Sequence, residues 1–334
     1  MRYPRHCHTE FFQEAEMTFR RKNADLRASA IMTVLCIIWG VQQVAIKGVA
    51  EEISPVLQVA LRSGIAALLV LVVMTCKKES LRQSRPYLMA GCVVGLLFAL
   101  EFLFVAEGLR YTSASHMAVF LYTAPAFAAV GLQLFHPDER LMPAQWGGIV
   151  VAFTGIAVAF LSGSSSTGDT VRMLTGDVMG LLAGLAWGAT TVVVRCTALS
   201  QAPATHTLFY QLAGACVLLF LYALFSGQLH FRPGVTGSLS LLFQIFIVGF
   251  ASYLTWFSLM KTYLASQLGV LSFMTPVFGV LAGMLFLDEQ PQPGFIWGTL
   301  LILSGIIIVS GWPWFITKLD RSAARRHRST GRNP

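Results

Sequence analysis

Charged side chains are scarce in this chain: they make up 12% of its 334 residues, while apolar residues make up 55%, against about 25% charged in an ordinary soluble domain. So little charge cannot cover a water-exposed surface, and the composition reads as that of a membrane protein. Polar stretches long enough to form a soluble domain are missing as well. The six cysteines, at 7, 36, 76, 92, 196 and 216, show no C-x-x-C spacing, which argues against a metal site and a disulfide framework. There is no Walker loop, no H-E-x-x-H helix and no G-x-S-x-G elbow, so neither an ATP-driven pump nor a soluble-type hydrolase is expected. The first 28 residues lack the apolar core of a signal peptide, and no cleavage is expected. They read as a cytoplasmic tail in which Met17, followed by TFRRKN, is a second candidate start; an intact mass that included Met1 would exclude it.

What is present is a series of apolar runs of roughly twenty residues, each long enough to cross a hydrocarbon core about 30 Å thick at 1.5 Å per residue. Ten spans are expected, near 30–50, 55–75, 86–107, 112–135, 143–162, 176–198, 205–226, 238–260, 265–287 and 294–315. Helices are expected because backbone groups inside a bilayer must be satisfied within each segment, and these runs are too continuously apolar for barrel strands. The fold class is therefore all-α and integral to the membrane.

Orientation follows from Lys and Arg. One side collects nineteen, counting both tails with Lys77, Lys78, Arg82, Arg85, Arg140, Arg195 and Lys261. The other side holds Lys47, Arg110, Arg172 and Arg232, and Arg62 lies within a span. The positive-inside rule then places both termini in the cytoplasm of a cell (inner or plasma) membrane. The net charge of +8 is a topology signal rather than a sign of nucleic-acid binding.

The chain repeats itself. CIIWGVQQVAIKGVAEEISPVLQVALRSG (36–64) aligns with GLAWGATTVVVRCTALSQAPATHTLFYQLAG (184–214) at an offset of 148, pairing Trp39 with Trp187, Gly40 with Gly188, Lys47 with Arg195 and Pro55 with Pro203. At an offset of 151, ASHMAVFLYTAPAF (114–127) aligns with ASQLGVLSFMTPVF (265–278), pairing Pro125 with Pro276. The expected organisation is a tail (1–28), a first five-helix unit (29–162), a linker (163–175) containing most of SGSSSTGDT, a second unit (176–315) and a basic tail (316–334). An odd number of spans per unit makes the second copy enter from the opposite side, so the repeats are inverted. That architecture is known in secondary transporters, with a midplane site between halves and rocking of one half against the other.

The paired WG in the first span of each half, the segments YTSASHMAVFLYTAPAF and LASQLGVLSFMTPVF, and the acids Glu139 and Glu289 that follow carry a resemblance to the drug/metabolite transporter superfamily, in its EamA group. It covers residues 29 to 315. The resemblance implies a ten-helix transporter of small metabolites, often an exporter of amino acids or related compounds, with no bound cofactor.

Candidate site residues follow from polarity inside the spans. Arg62 and Glu101 lie at one expected depth on consecutive spans, and charges within a span usually face a cavity or each other. One reading makes them a structural ion pair; the other has Arg62 hold a substrate carboxylate while Glu101 binds an amine or exchanges a proton. Trp39, Gln42 and Gln43 of the first span, and Trp187, Thr190 and Thr191 of the sixth, are expected to line the cavity with Tyr122 and Tyr210. His116, Tyr253, Trp256 and Gln267 are weaker candidates, His116 being expected at the interface. Pro125 and Pro276 are expected to kink their spans and serve as gate hinges, a static kink being the alternative. Glu139 and Glu289 are expected to orient turns, and Lys47 and Arg195 to snorkel to headgroups.

The expectation is a secondary transporter, an exporter of an amino acid or related zwitterion, with a small-molecule solute and the lipid bilayer as its partners and proton coupling as one route. The alternatives are transport of an amine or drug-like cation in either direction, or a membrane sensor or enzyme that does not transport. No catalytic residue, metal or cofactor is expected, and the sequence gives no oligomeric state.

Overall fold

The computed structural model describes residues 25–79, 86–135, 142–161, 167–263, 268, 271–272 and 274–309. Both tails up to residue 24 and from residue 310, Met17, Glu139, Gln267, residue 162 and residues 163–166 of the expected linker lie outside the described residues.

Among the described residues the fold is helical: α1 Leu26–Gly48, α2 Pro55–Cys76, α3 Leu88–Gly108, α4 Ala114–Leu121, α5 Ala124–Phe135, α6 Pro143–Leu161, α7 Thr167–Cys196, α8 Ala204–Phe225, α9 Val235–Leu242, a π-helical stretch Phe243–Ser252 running into α10 Tyr253–Thr262, α11 Met274–Phe286 and α12 Pro293–Val309. Seven helical stretches are long and apolar enough to cross a membrane, and Pro143–Ala159, Met274–Phe286 and Pro293–Val309 are shorter apolar helices. The linker differs from expectation, since helix α7 begins at Thr167 rather than near 176. No proline interrupts 167–176, so the backbone keeps its i to i−4 bonds beyond the apolar thickness.

Local chemistry sets the helix ends. The Asp25 carboxylate accepts from Ala28 N at 2.7 Å and starts α1. Pro55 occupies the first turn of α2 behind Ser54, whose hydroxyl accepts from Leu57 N; a first-turn proline loses no helical bond. Gly227 follows α8 at φ +70, the left-handed conformation that terminates helices at little steric cost.

The fourth expected span is broken. Helix α4 stops at Leu121, Tyr122 and Thr123 form a turn, and α5 begins at Ala124. Pro125 therefore sits in the first turn of a new segment; Pro276 lies within the helical stretch Met274–Phe286. Pro125 restarts a helix rather than bending a continuous one, because the break on its N-terminal side relieves the ring clash.

Helix pairing joins the first half of the chain to the second. Helix α1 packs on α11, α2 on α8 and on the π-helical stretch, α3 on α7 and α8, and α4 on α7 and α11. The main core lies between these pairs and includes Val59, Phe102, Val105, Leu208 and Leu212. Close crossings depend on glycine. A Cβ on Gly40 would meet Gly279 N at 2.7 Å, and one on Gly188 would meet Ala128 N at 3.0 Å. Those two crossings occupy matching places in the repeated sequence.

Candidate functional site

Arg62 is fully buried on α2, and its Nε, Nη1 and Nη2 all lack a hydrogen-bond partner. The guanidinium lies over the Phe102 ring, 4.4 Å from its centroid. Glu101, one residue earlier on α3, is 5% exposed, and its Oε2 is also buried without a partner. Each is within electrostatic range of the other, but they form no ion pair among the described contacts. The expected direct approach is corrected: Phe102, the neighbour of Glu101, takes the guanidinium face in a cation–π contact.

Other elements complete the surround. Gln43, buried on α1, has an unpartnered Oε1. Tyr253, the first residue of α10, lies within electrostatic range of Arg62 and Glu101, and Tyr122, buried in the break after α4, is within range of Tyr253 and Glu101. The Trp187 ring meets Tyr122 edge-on at 5.1 Å, and Phe98 meets Tyr253 edge-on at 6.3 Å. Tyr122 lies in the turn that breaks the fourth span, just after the last residue of α4. The π-helical stretch supports Arg62 from the other side: a Cβ on Gly249 would come within 3.2 Å of the Arg62 stem. Widened π-helical turns are frequent at functional sites.

Buried polar groups are almost always paired, because leaving one unmade costs about 1–3 kcal/mol. Six side-chain atoms on α1, α2 and α3, three of them on one cation and one the Ser63 hydroxyl, lack partners here. The cluster is polar, aromatic-walled and drawn from both halves, which suits a small amphipathic molecule carrying a carboxylate.

The remaining candidates separate from this centre. The Trp39 indole N–H donates to the Ser252 hydroxyl at 2.9 Å, and its ring meets Trp256 edge-on at 5.5 Å. Trp39 packs in a satellite cluster with Met32, Leu259 and Tyr263. Gln42 is buried beside Gln43. The Thr190 and Thr191 hydroxyls donate to Ala186 O and Trp187 O of their own helix, so they offer a solute acceptors more readily than donors. Tyr210 is half-buried, with its ring against Gly91 between α3 and α8.

Two expectations fail at the end of the bundle that carries Lys47. Lys47 does not snorkel: its Nζ donates to Thr112 O at 2.5 Å and lies 3.8 Å from Glu289 Oε1. A backbone carbonyl and a carboxylate within reach outcompete the headgroup region. His116 is not interfacial but buried, with Nδ1 2.9 Å from Asp177 Oδ2. Asp177 went unnoticed in the sequence because it stands at the very start of the expected sixth span, where a charge reads as a span end. Glu289 orients a turn as expected, accepting from Ala114 N and Ser115 N at the start of α4.

At the opposite end, Asp25 accepts from the Tyr263 hydroxyl at 3.1 Å. The Ala28 N–H holds the Asp25 carboxyl below its usual value, helped by Tyr263 and opposed by desolvation. Desolvation, then the Asp25 carboxylate, raises the Tyr263 phenol. Glu79, beyond α2, accepts from the Thr205 hydroxyl at the start of α8. Polar contacts between the halves thus stand at both ends of the bundle among the described residues.

A model of the EamA-like transporter family matches residues 27–161 and again residues 174–311. The chain is 26% identical over 298 residues to the "Probable amino-acid metabolite efflux pump" of Escherichia coli (strain K12), covering 86% of this chain and 97% of that protein. It is 24% identical over 273 residues to the "Uncharacterized transporter YoaV" of Bacillus subtilis (strain 168), covering 81% of this chain and 92% of that one. A solved crystal structure superposes with a TM-score of 0.60 at 21% identity, covering 85% of this chain and 97% of that one, and so shares the fold.

Proposed function

The chain belongs to the EamA-like transporter family, and from that premise we propose that it is a secondary transporter that carries a small zwitterion, such as an amino acid or a related metabolite, out of the cell. The reading comprises ten membrane helices in two inverted five-helix repeats, with both termini cytoplasmic and the solute bound between the halves. The double match of one family model, to residues 27–161 and 174–311, supports the repeat. So do the matched crossings at Gly40 with Gly279 and Gly188 with Ala128. The printed name of the Escherichia coli relative supports the solute class and the direction.

The observation that carries the reading is the fully buried Arg62, whose three guanidinium nitrogens have no partner. A planar fork of donors matches a carboxylate in a two-bond geometry. Glu101 Oε2 and Gln43 Oε1 are unpartnered acceptors in the same surround, suited to a substrate ammonium. Trp187, Tyr122, Phe98 and Tyr253 provide apolar walls. A doubly charged phosphate ester would call for more buried cations than the single Arg62.

Transport of a cationic amine is the second reading, favoured by the unpartnered Glu101 Oε2 among aromatic rings. Counterflow in proteoliposomes with labelled amino acids, amines and sugars separates the two. A zwitterion should exchange, and both Arg62→Met and Glu101→Gln should abolish it. Exchange of an amine that survives Arg62→Met but not Glu101→Gln selects the second reading, and exchange that survives both removes the site from these residues.

A further inference from the structure

The Lys47 end holds a second ionisable cluster that the solute site does not use. The segment Thr112–His116, leading into α4, is gripped by two carboxylates from the second half of the chain. Glu289 accepts from Ala114 N at 2.6 Å, Ser115 N at 2.9 Å and the Ser115 hydroxyl at 2.6 Å. Asp177, fully buried on α7, accepts from the Thr112 hydroxyl at 2.5 Å, and His116 Nδ1 lies 2.9 Å from its Oδ2. The imidazole stacks flat on Phe295 of α12, with centroids 3.8 Å apart and planes 4° from parallel.

The other charges around this pair are engaged or turned away. From α1, Lys47 donates to Thr112 O and faces Glu289. At the end of α3, Glu107 bonds Arg110 at 2.7 Å and accepts from Gln228 at 2.5 Å. On α7, Arg172 is exposed, as is Asp288 in the turn before α12. Helices α4, α11 and α12 add no charged residue of their own. His116 is therefore the one member of the group whose side-chain class commonly changes charge between about pH 5 and 8. A cavity of about 140 Å³ beside it, lined by Ser113, Ser115, His116, Glu289, Gln292 and Phe295 among others, is roomy enough for several waters at about 30 Å³ each.

The internal repeat supplies an independent observation. At the offset of 151, His116 falls on Gln267, and at 148, Asp177 falls on Ser29. The pair has no ionisable counterpart at the matching positions of the other copy; the His206 Nε2–Glu79 Oε2 contact at the opposite end, 4.0 Å long, joins different positions of the two halves.

We propose that His116 and Asp177 form a proton-operated latch between the two halves at the Lys47 end, tightened when a proton from the aqueous side binds the imidazole and loosened when it leaves. The reason is electrostatic. With a neutral ring the contact is one N–H donated to a carboxylate; with an imidazolium the donor is charged as well and the contact becomes an ion pair with a fully buried carboxylate. By the Lys and Arg count this end faces outward, so external acidity holds the outer side shut. The proposal rests on the rocking of the halves in the transport reading but not on the solute.

The test needs no solute. With the six native cysteines replaced by serine, Gln292→Cys on the cavity lining is labelled in intact cells by a membrane-impermeant maleimide at external pH 8 and pH 6. Each rate is divided by that of Ser226→Cys, an exposed position at the same end, which removes the reagent's own pH dependence. The ratio should fall about threefold or more between pH 8 and pH 6, and the fall should vanish in His116→Gln and in Asp177→Asn. A ratio that is flat or rises toward pH 6 overturns the latch, as does a fall that persists in either variant. Labelling from the cytoplasmic side alone overturns its external sense. If His116→Gln does not reach the membrane, the wild-type ratio and Asp177→Asn decide. A flat ratio with intact counterflow leaves the transport reading standing, whereas a steep ratio with no exchange of any solute removes the transport reading alone.

Discussion

Replacing Arg62 by methionine should make the protein more stable and inactive at once, a combination that separates a binding cation from a structural one. The side chain is 0% exposed and none of its three nitrogens has a partner. An unpartnered buried polar group costs about 1–3 kcal/mol, and more when charged. The cation–π contact with Phe102 returns about 2 kcal/mol when desolvated, and the nearby Glu101 offsets part of the rest. Methionine fills a similar length of the pocket with no polar atom and removes that desolvation cost, less the attraction that Glu101 loses. At roughly 2–4 °C per kcal/mol for larger chains, the unfolding midpoint in detergent should rise by several degrees. Removing a buried charge partner from a bound ligand costs about 2–5 kcal/mol, so counterflow at sub-saturating solute should fall at least 30-fold. Thermal unfolding by intrinsic fluorescence and proteoliposome exchange measure both sides. A midpoint lowered by several degrees with exchange intact would refute the reasoning and make Arg62 a fold determinant.

Three further outcomes follow from the geometry. Gly155→Val should prevent α6 from meeting α12, because a Cβ there would lie 2.6 Å from Ile302 N and 2.7 Å from Gly298 O; Gly147→Val, with nothing within 4 Å, should be tolerated. Overpacking of this kind costs about 1–3 kcal/mol or more, and monodispersity on size-exclusion chromatography should distinguish the two variants. Glu289→Gln should lower the unfolding midpoint through the loss of about 1 kcal/mol from the Lys47 pair and the charged cap on α4; an unchanged midpoint at low salt would count against the cap. The Asp25–Tyr263 contact should be pH-bounded. Its depressed carboxyl contributes stability above the usual carboxylate range that is lost as pH falls below it, and its raised phenol contributes below the usual phenol range and is lost as pH rises past it. Asp25→Asn should therefore flatten the acid limb of midpoint against pH, and an unaltered limb would show that other groups control it.

The sequence by itself determined the class of the molecule. Low charge and apolar runs of bilayer length leave few options besides a helical membrane bundle, because backbone groups in hydrocarbon must be satisfied within each segment. The paired WG and T-A-P/M-T-P segments carried the family resemblance, since glycine at a crossing and proline at a helix start are local requirements that any sequence must meet in place. Arg62 and Glu101 stood out for the same reason: a charge inside an apolar run is visible without knowing its neighbours. Tertiary structure decided who those neighbours are. It placed the Arg62 guanidinium on Phe102 rather than on Glu101, and it took Lys47 from the headgroups to Thr112 and Glu289. It also brought Asp177, at the start of the expected sixth span, to His116, 61 residues away in the chain. Burial is a local property of composition and can be read along a line, whereas pairing depends on which helix faces close on one another, and that is fixed only when both halves fold together.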